Sequence, residues 1–518
     1  MILKATLLRS ARVWPLKRNL SSDLKGVVGL EVHVQIASKS KLFSSAPTAP
    51  GPANSQVAPF DAAIPGTLPV LNRQCVEAAV KTALALNCRE INQIMRFDRK
   101  HYFYADMPAG FQITQQFHPV ARKGLLTCQI QRHPTAKPEA IRCRVHQIQL
   151  EQDSGKSIHD ENANVSLIDL NRAGVGLLEI VFKPDLSSGE DAAALVKELV
   201  AIVRALGVST GRMEEGAVRV DANVSVHRPG TPLGTRTEIK NMNSVRSVRH
   251  AIDYEIKRQI RSVESGIPVA NVTMTFDTES DKTVVMRDKE ITQDYRFFPE
   301  PNIPSVDVKQ MGINVDRLRN TLPPLPGEQR EDLMQRLGLS FRAAMVITSE
   351  ENFFEFFSEV LLILDSKHAG DAEYVLTCDV LGYLNEKSLS LYQTEVTAQN
   401  FAKLILLKAT RKVNRQRCSN IIRLMLEDGT DPEEILEKNN WSLIADTTLI
   451  SRLCDEAISL YPKECNKLRQ GKERAANKML AHVRRATDSR ADMVLVKKIL
   501  LERIHAANAL RDEIQIGR

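Results

Sequence analysis

Alternation with a period of two is the strongest pattern in the first half of the chain. In Leu30-Glu31-Val32-His33-Val34-Gln35-Ile36 the apolar residues fall on one side of a strand, and Glu31, His33 and Gln35 project together from the other. The same rule gives 218–226 a face of Arg219, Asp221, Asn223 and Ser225, and gives 147–153 a face of Gln147, Gln149, Glu151 and Asp153. It gives 236–240 a face of Arg236, Glu238 and Lys240, with 229–234 as the turn that joins this strand to the one before it. Helical spacing between the strand-like runs predicts helices at 76–87 and 191–206, so residues 23–302 read as an α+β domain. From 303 the strands fade. Pro323, Pro324 and Pro326 punctuate the change, and helices are expected at 328–337, 372–384, 398–407 and 433–438. Residues 303–393 therefore read as a helical linker domain and 394–518 as a helical tail.

The polar faces differ from ordinary wet surface. Asp, Asn and Ser are poor strand formers, yet here they sit mid-strand beside Val. Short polar side chains on rigid strands suit a cation or polar ligand held in fixed geometry. A His among several carboxylates, without thiolates, favours a hard divalent ion such as magnesium or manganese over structural zinc. Each strand taken singly also fits an antiparallel strand wetting its outer face; the set of four favours a site.

Composition narrows the class. The chain has 518 residues, 43% hydrophobic and 26% charged, which excludes wholesale disorder and rod-like folds and allows two to four domains. No apolar run in the body exceeds five residues, as at 360–364 between Glu359 and Asp365, so no membrane insertion is expected. Of the formal +7, five charges (Lys4, Arg9, Arg12, Lys17, Arg18) lie in residues 1–22, which contain no acid and have the composition of a mitochondrial transit peptide. The remaining chain is nearly balanced, with basic stretches around 408–417 and 463–485. The eight cysteines form no C-x-x-C pair and read as scattered, mostly buried thiols. A glycine-rich phosphate loop, an H-E-x-x-H motif and a nucleophile elbow are all missing from the sequence, so a bound nucleotide would depend on metal, Arg and Lys.

Seven motifs then become specific. They are Gly29-Leu30-Glu31-Val32-His33-Val34, Ile64-Pro65-Gly66-Thr67-Leu68-Pro69-Val70-Leu71-Asn72, Phe97-Asp98-Arg99-Lys100-His101-Tyr102-Phe103-Tyr104, Asp169-Leu170-Asn171-Arg172-Ala173-Gly174, the run 215–226, Glu238-Ile239-Lys240-Asn241-Met242-Asn243-Ser244, and Asp294-Tyr295-Arg296-Phe297-Phe298-Pro299-Glu300-Pro301. In this order they resemble the B subunit of the aspartyl/glutamyl-tRNA amidotransferases, the GatB/GatE family. The helical remainder resembles that family's linker and YqeY-like tail more loosely, and the leader points to a mitochondrial (matrix) member.

The resemblance implies a cradle domain of glutamine synthetase-like fold. It also implies a reaction in which ATP and magnesium phosphorylate the γ-carboxylate of glutamate mischarged onto the glutamine tRNA. Ammonia from a partner glutaminase subunit then displaces phosphate to give glutaminyl-tRNA, with a small third subunit completing a heterotrimer. A carboxylate is a poor acyl donor and an acyl phosphate a good one, and phosphoryl transfer between anions needs charge neutralisation and alignment. On matching positions the resemblance assigns Glu31, His33 and Glu151 to metal. Asp153, Lys156, Asp169, Glu179, Glu214, Glu215, Asp221 and Glu238 become further ligands or ammonia-path residues, and Asn223 and Ser225 share the catalytic face. Arg172, Arg219, Lys240 and Arg296 are candidates for ATP phosphates or the tRNA acceptor end. Tyr102, Phe103 and Tyr104 are candidates for stacking on the terminal adenosine, with core packing as their alternative. The basic tail would meet the tRNA through phosphates.

Some positions depart from the family. Many bacterial members carry two C-x-x-C pairs that bind zinc between the positions of Phe43 and Pro65; here the stretch reads SSAPTAPGPANSQVAPFDAA, and zinc is not expected. Gln152 stands where an adjacent second Glu is usual, Ala109 replaces a common Lys, and the tail's glycine-rich signature is eroded between Gly471 and Asp492. Two other readings compete: a noncatalytic tRNA-binding or assembly subunit, and a stand-alone ligase for a small acid. Aligned charges on one sheet face disfavour the first, and the basic helical tail disfavours the second.

Overall fold

In the computed structural model the chain is described over residues 23–101, 103–160, 162–287, 295–444, 446–470 and 472–516. The basic leader 1–22 and Tyr102 lie outside these residues. The described chain divides into two compact units, one ending at Leu325 and one beginning at Pro326.

The first unit is mixed α/β. Nine strands form one sheet in the order Lys282–Arg287, Thr273–Asp277, Thr237–Met242, Val218–His227, Lys25–Gln35, Gly176–Phe182, Glu139–Gln152, Ala121–Ile130, Glu90–Ile91. All neighbours are antiparallel except Thr237–Met242 with Thr273–Asp277. That parallel pair is joined by the helix Val245–Glu264, as a parallel connection requires a crossover. The alternation seen in the sequence is realised here. Val28, Leu30, Val32 and Val34, with Val218, Val220, Ala222, Leu178, Ile180, Ile148 and Leu150, are buried in one core. The helices Arg73–Ala85, Gly189–Ala205 and Val245–Glu264 cover that face. Each begins on a side-chain cap: Asn72, Ser188 and Ser244 accept the backbone N–H of Gln74, Asp191 and Ser247.

The opposite face carries the polar alternates, and register decides who meets whom. Glu31 lies opposite Asp221, and His33 lies between Arg219 on one neighbour and Glu179 on the other. Glu179 in turn faces Gln149. A small sheet of Phe298–Pro299, Asp98–His101 and Phe111–Thr114 covers part of this face, with Gln112 donating to Glu151 Oε1 at 2.9 Å.

The second unit is all helical and holds two cores, one from Leu333 to Leu436 and one from Ile450 to Ile504. The expected helix at 372–384 is helical throughout but changes gauge: α-helix at Ala369–Tyr374, a π segment at Val375–Val380, then α-helix at Leu381–Lys387. Packing divides the chain differently from the change in sequence texture. Ile303, Val306, Val308 and Ile313 belong to the first unit's core, which continues to Leu325, and the next core runs across 393/394 without a break. Texture reports the type of element, whereas a core is set by which apolar faces meet. Seven of the eight cysteines are buried thiols; Cys378 is exposed. No described helix is long and apolar enough to cross a membrane.

Candidate active site

Three adjacent strands converge on one constellation. His33 comes from Lys25–Gln35, Glu179 from Gly176–Phe182 and Glu151 from the end of Glu139–Gln152, and one ligand atom of each lies within 4.8 Å of the others. His33 Nε2 stands 3.9 Å from Glu151 Oε1. Glu151 is 3% exposed, and its Oε2 is buried without a hydrogen-bond partner. Gln149 Nε2 donates to Glu179 Oε2 at 2.5 Å and to Thr114 Oγ1 at 3.2 Å, which fixes the Glu179 carboxyl from the side.

Two carboxyls in one low-dielectric pocket compete for ionisation. Burial and the Glu151 charge push Glu179 well above the usual carboxylate range. Burial also works against ionised Glu151, but Lys100 and His33 outweigh it and hold its pKa below normal. Lys100 is itself raised: burial disfavours its ammonium, and Glu151, Glu179 and Tyr295 more than compensate. Its Nζ lies 5.0 Å from the Tyr295 ring centre. The pocket thus favours an ionised Glu151 over an ionised Glu179, with the Lys100 cation nearby.

The donor set fits a hard divalent ion. Bonds of about 2.1 Å keep ligands of one ion within ~4.2 Å of each other, so the observed spacing needs only small rotamer changes. The unpartnered Glu151 Oε2 is the kind of acceptor an ion satisfies.

A second cluster lies two strands away. A bulge sets Lys240 and Asn241 against Asp221, with Asn241 in the left-handed region at φ 60° and its N–H donating to Asp221 Oδ1 at 3.0 Å. The bulge brings Lys240 Nζ to 3.2 Å from Glu238 Oε1 and 3.9 Å from Asp221 Oδ2. Burial opposes this ammonium, but Asp221 and Glu238 raise its pKa.

Comparison with known proteins follows the same residues. A family model described as the GatB/GatE catalytic domain matches residues 26–314, and one described as a GatB domain matches 355–504. The chain is 45% identical over 92% of its length to a Homo sapiens protein named as the mitochondrial B subunit of glutamyl-tRNA(Gln) amidotransferase, covering 88% of it. It is 43% identical to the Aedes aegypti protein of the same name, over 90% of this chain and 91% of that one. It is 40% identical to a Rickettsia canadensis protein named as the B subunit of aspartyl/glutamyl-tRNA(Asn/Gln) amidotransferase, over 92% and 97%. The chain belongs to the GatB/GatE family.

The residues singled out in this GatB/GatE chain separate into groups. His33, Glu151 and Glu179 meet. Glu31 stands beside them on the same face and accepts from Asn223 Nδ2 at 3.2 Å, and Ser225 is buried further along the Asn223 strand. Asp153 forms a separate knot: Arg219 Nη2 donates to its Oδ2 at 2.8 Å, and Arg172 Nε lies 3.7 Å from its Oδ1. Arg172 itself donates to the carbonyls of Ser154 and Gly155. Lys156 and Asp169 face each other across the hairpin of Lys156–Asp160 with Val165–Asp169. Asp169 Oδ1 accepts the N–H groups of Asn54 and Asn171, which overcome its desolvation and lower its pKa. Glu214 and Glu215 are exposed before the Val218–His227 strand begins, with Glu215 bonded to Arg212, so the sheet does not bring them to the catalytic face. Arg296 is exposed at φ 41°, and its carbonyl pairs with His101 Nδ1 at 2.8 Å. Tyr104 is 46% exposed and Phe103 is 85% exposed, so neither is packed in the core. Lys100 and Gln112 join the site without having been expected there, and Gln149, read only as one of the polar alternates of its strand, proves to hold Glu179. Lys100 lies inside one of the family motifs and Gln149 on a polar strand face, but no period or spacing marks them apart from their neighbours.

Proposed function

We propose that this chain is the B subunit of a mitochondrial glutamyl-tRNA(Gln) amidotransferase, working in the matrix with a glutaminase subunit and a small third subunit. It uses ATP to phosphorylate the γ-carboxylate of glutamate esterified to the glutamine tRNA, and ammonia then replaces the phosphate. The first unit would have the glutamine synthetase-like fold. Family membership supports the reaction class. The observation that carries the reading is the juxtaposition of His33, Glu151 and Glu179 on one sheet face with Lys100 beside them.

His33, Glu151 and Glu179 would hold magnesium, which supplies charge neutralisation for phosphate oxygens when bound. Lys100 keeps Glu151 ionised and screens the approach of an anionic γ-carboxylate. Lys240, raised and half-buried between Asp221 and Glu238, offers a fixed cation to ATP phosphates, with Arg296 at the exposed rim. Arg219 and Arg172 are committed to Asp153 and its loop, so they orient the end of the Glu139–Gln152 strand. Tyr104 offers exposed stacking surface to the terminal adenosine, a role the motif also gives to Tyr102, which lies outside the described residues.

The test is reconstitution with the glutaminase and small subunits, glutamyl-tRNA, ATP, magnesium and glutamine. His33→Ala or Glu31→Ala is expected to abolish ATP-dependent amidation while glutaminase activity and tRNA binding persist. Wild-type amidation rates in both variants would sink the assignment.

A further inference from the structure

The Lys41 side chain is wholly buried and that of Asp61 is 1% exposed, yet the two face each other at 3.0 Å inside the first unit. A buried ion pair is a weak source of stability, since desolvation of both charges offsets their attraction and apolar replacements are often neutral or stabilising. Burial in fact pulls the Lys41 ammonium below its ordinary value despite Asp61 at its side.

The contacts of the pair show what it does instead. Lys41 Nζ also donates to the Leu170 carbonyl at 3.2 Å. Asp61 Oδ2 accepts from Ser44 Oγ at 3.1 Å and from the Ala58 N–H at 2.9 Å. The pair therefore ties three pieces together: the segment leaving the first strand, the loop 44–63 and the turn 169–174. The loop reaches the same turn again through Asn54, which bonds Asp169, the Ile168 carbonyl and the Leu170 N–H, and through the Gln56 N–H on Asn171. The turn in its own right grips Asp153: the Gly174 N–H donates to the Asp153 carbonyl at 2.9 Å, and the Asp153 N–H donates to the Val175 carbonyl at 2.8 Å. The remaining oxygen, Asp61 Oδ1, is buried without a partner, and it lies 2.7 Å from where a Cβ on Gly174 would stand. With φ at +85° as well, Gly174 is the residue that lets loop and turn close on each other.

We propose that Lys41 and Asp61 are positioning residues: their pair locks the 44–63 loop onto the 169–174 turn and so holds Asp153, with Arg172 and Arg219 on it, two residues from Glu151. The kinetic arm of the test rests on the function proposed above; the exchange arm does not.

The variant is K41M/D61L, which removes both charges and leaves neither stranded, studied as full-length chain in the assembled complex. Hydrogen exchange is expected to accelerate by about tenfold or more in 44–63, 153–155 and 169–175, with the Gly189–Ala205 helix unchanged and the melting temperature at or above wild type. The kcat for amidation is expected to fall about 10- to 100-fold, with KM for glutamyl-tRNA within about twofold. Unchanged exchange in those segments overturns the proposal, and so does a wild-type kcat in a variant whose loop has loosened. If the wild-type complex shows no ATP-dependent amidation, the functional reading fails, and exchange alone decides whether the pair is the lock. Should the double variant not fold, Asp61→Asn serves for the same exchange comparison.

Discussion

Glu179 shows how one side chain's surroundings set its chemistry. Its own strand reads Gly-Leu-Leu-Glu-Ile-Val-Phe, nearly continuous apolar sequence with no polar alternation, because it lies in the middle of the sheet with the helices on one side and the covering strands near the other. His33 and Glu151 were legible from alternation, but Glu179 stood only as one of several acids. What makes it a ligand candidate is register, which places it opposite His33 and beside Gln149. A consequence for pH follows. In the metal-free protein the raised Glu179 contributes stability that is complete below the ordinary value of 4.5 and is lost as pH rises through its folded value. The lowered Glu151 acts on the other side: its contribution is present above 4.5 and is lost as pH falls through its folded value. A magnesium ion favours the ionised form of Glu179, whose raised pKa holds its proton to higher pH than usual, so binding is expected to release protons and to tighten as pH rises. Calorimetry in two buffers of different ionisation heat measures this, and Glu179→Gln is expected to abolish the release. Proton-independent binding in the wild type would show that the ion sits elsewhere.

Elements were legible where period and length agreed. The strands around 30–36 and 218–226 and the helices near 76–87 and 191–206 appear within a few residues of their expected positions, because each has a full apolar face and the helices have capping residues. Short elements were not legible. Asp98–His101 has four residues, too few for alternation to stand out, and Lys100 on it therefore went unassigned. The bulge at Lys240 and Asn241 was equally hidden, since it arises from pairing with Asp221 across the sheet. Glycines separate packing from conformation at this scale. Gly189 opens the Gly189–Ala205 helix where a Cβ would meet the Arg249 carbonyl at 2.2 Å and Asp253 Oδ1 at 2.8 Å. Gly189→Ala must push the Val245–Glu264 helix away or break the bond from the Gly189 N–H to Asp253, and is expected to cost about 2–3 kcal/mol. Gly207 has open space around it but φ +63°, so Gly207→Ala is expected to cost only about 1 kcal/mol. Urea unfolding of both variants tests the order; equal costs would mean that the helix pair yields freely.

Charge on the whole molecule is arranged in blocks, which the formal +7 conceals. Residues 326–393 carry 5 Lys and Arg against 12 Asp and Glu, whereas 394–518 carry 23 against 17. The second unit is therefore acidic at its start and basic at its end, and the basic part includes the whole of the last core, from Ile450 to Ile504. That core is separate from the one before it, and polar contacts join the two, among them Arg417 to Asp488 and Arg490 to the Asn440 carbonyl. If the module holds RNA through phosphates, each cation engaged releases counterions and steepens the salt dependence of binding. Deleting 446–518 is expected to weaken tRNA binding by about tenfold or more near 50 mM salt and to flatten the plot of log affinity against log salt, by roughly 0.7–0.9 for each phosphate no longer engaged. The candidate site lies in the first unit, so amidation at saturating tRNA is expected to persist, with the loss appearing in KM. Filter binding across a salt series and a kcat against KM comparison read the two effects separately. An unchanged salt slope would show that the basic module does not meet the RNA, and a collapse of kcat at saturating tRNA would show that it does more than hold the substrate.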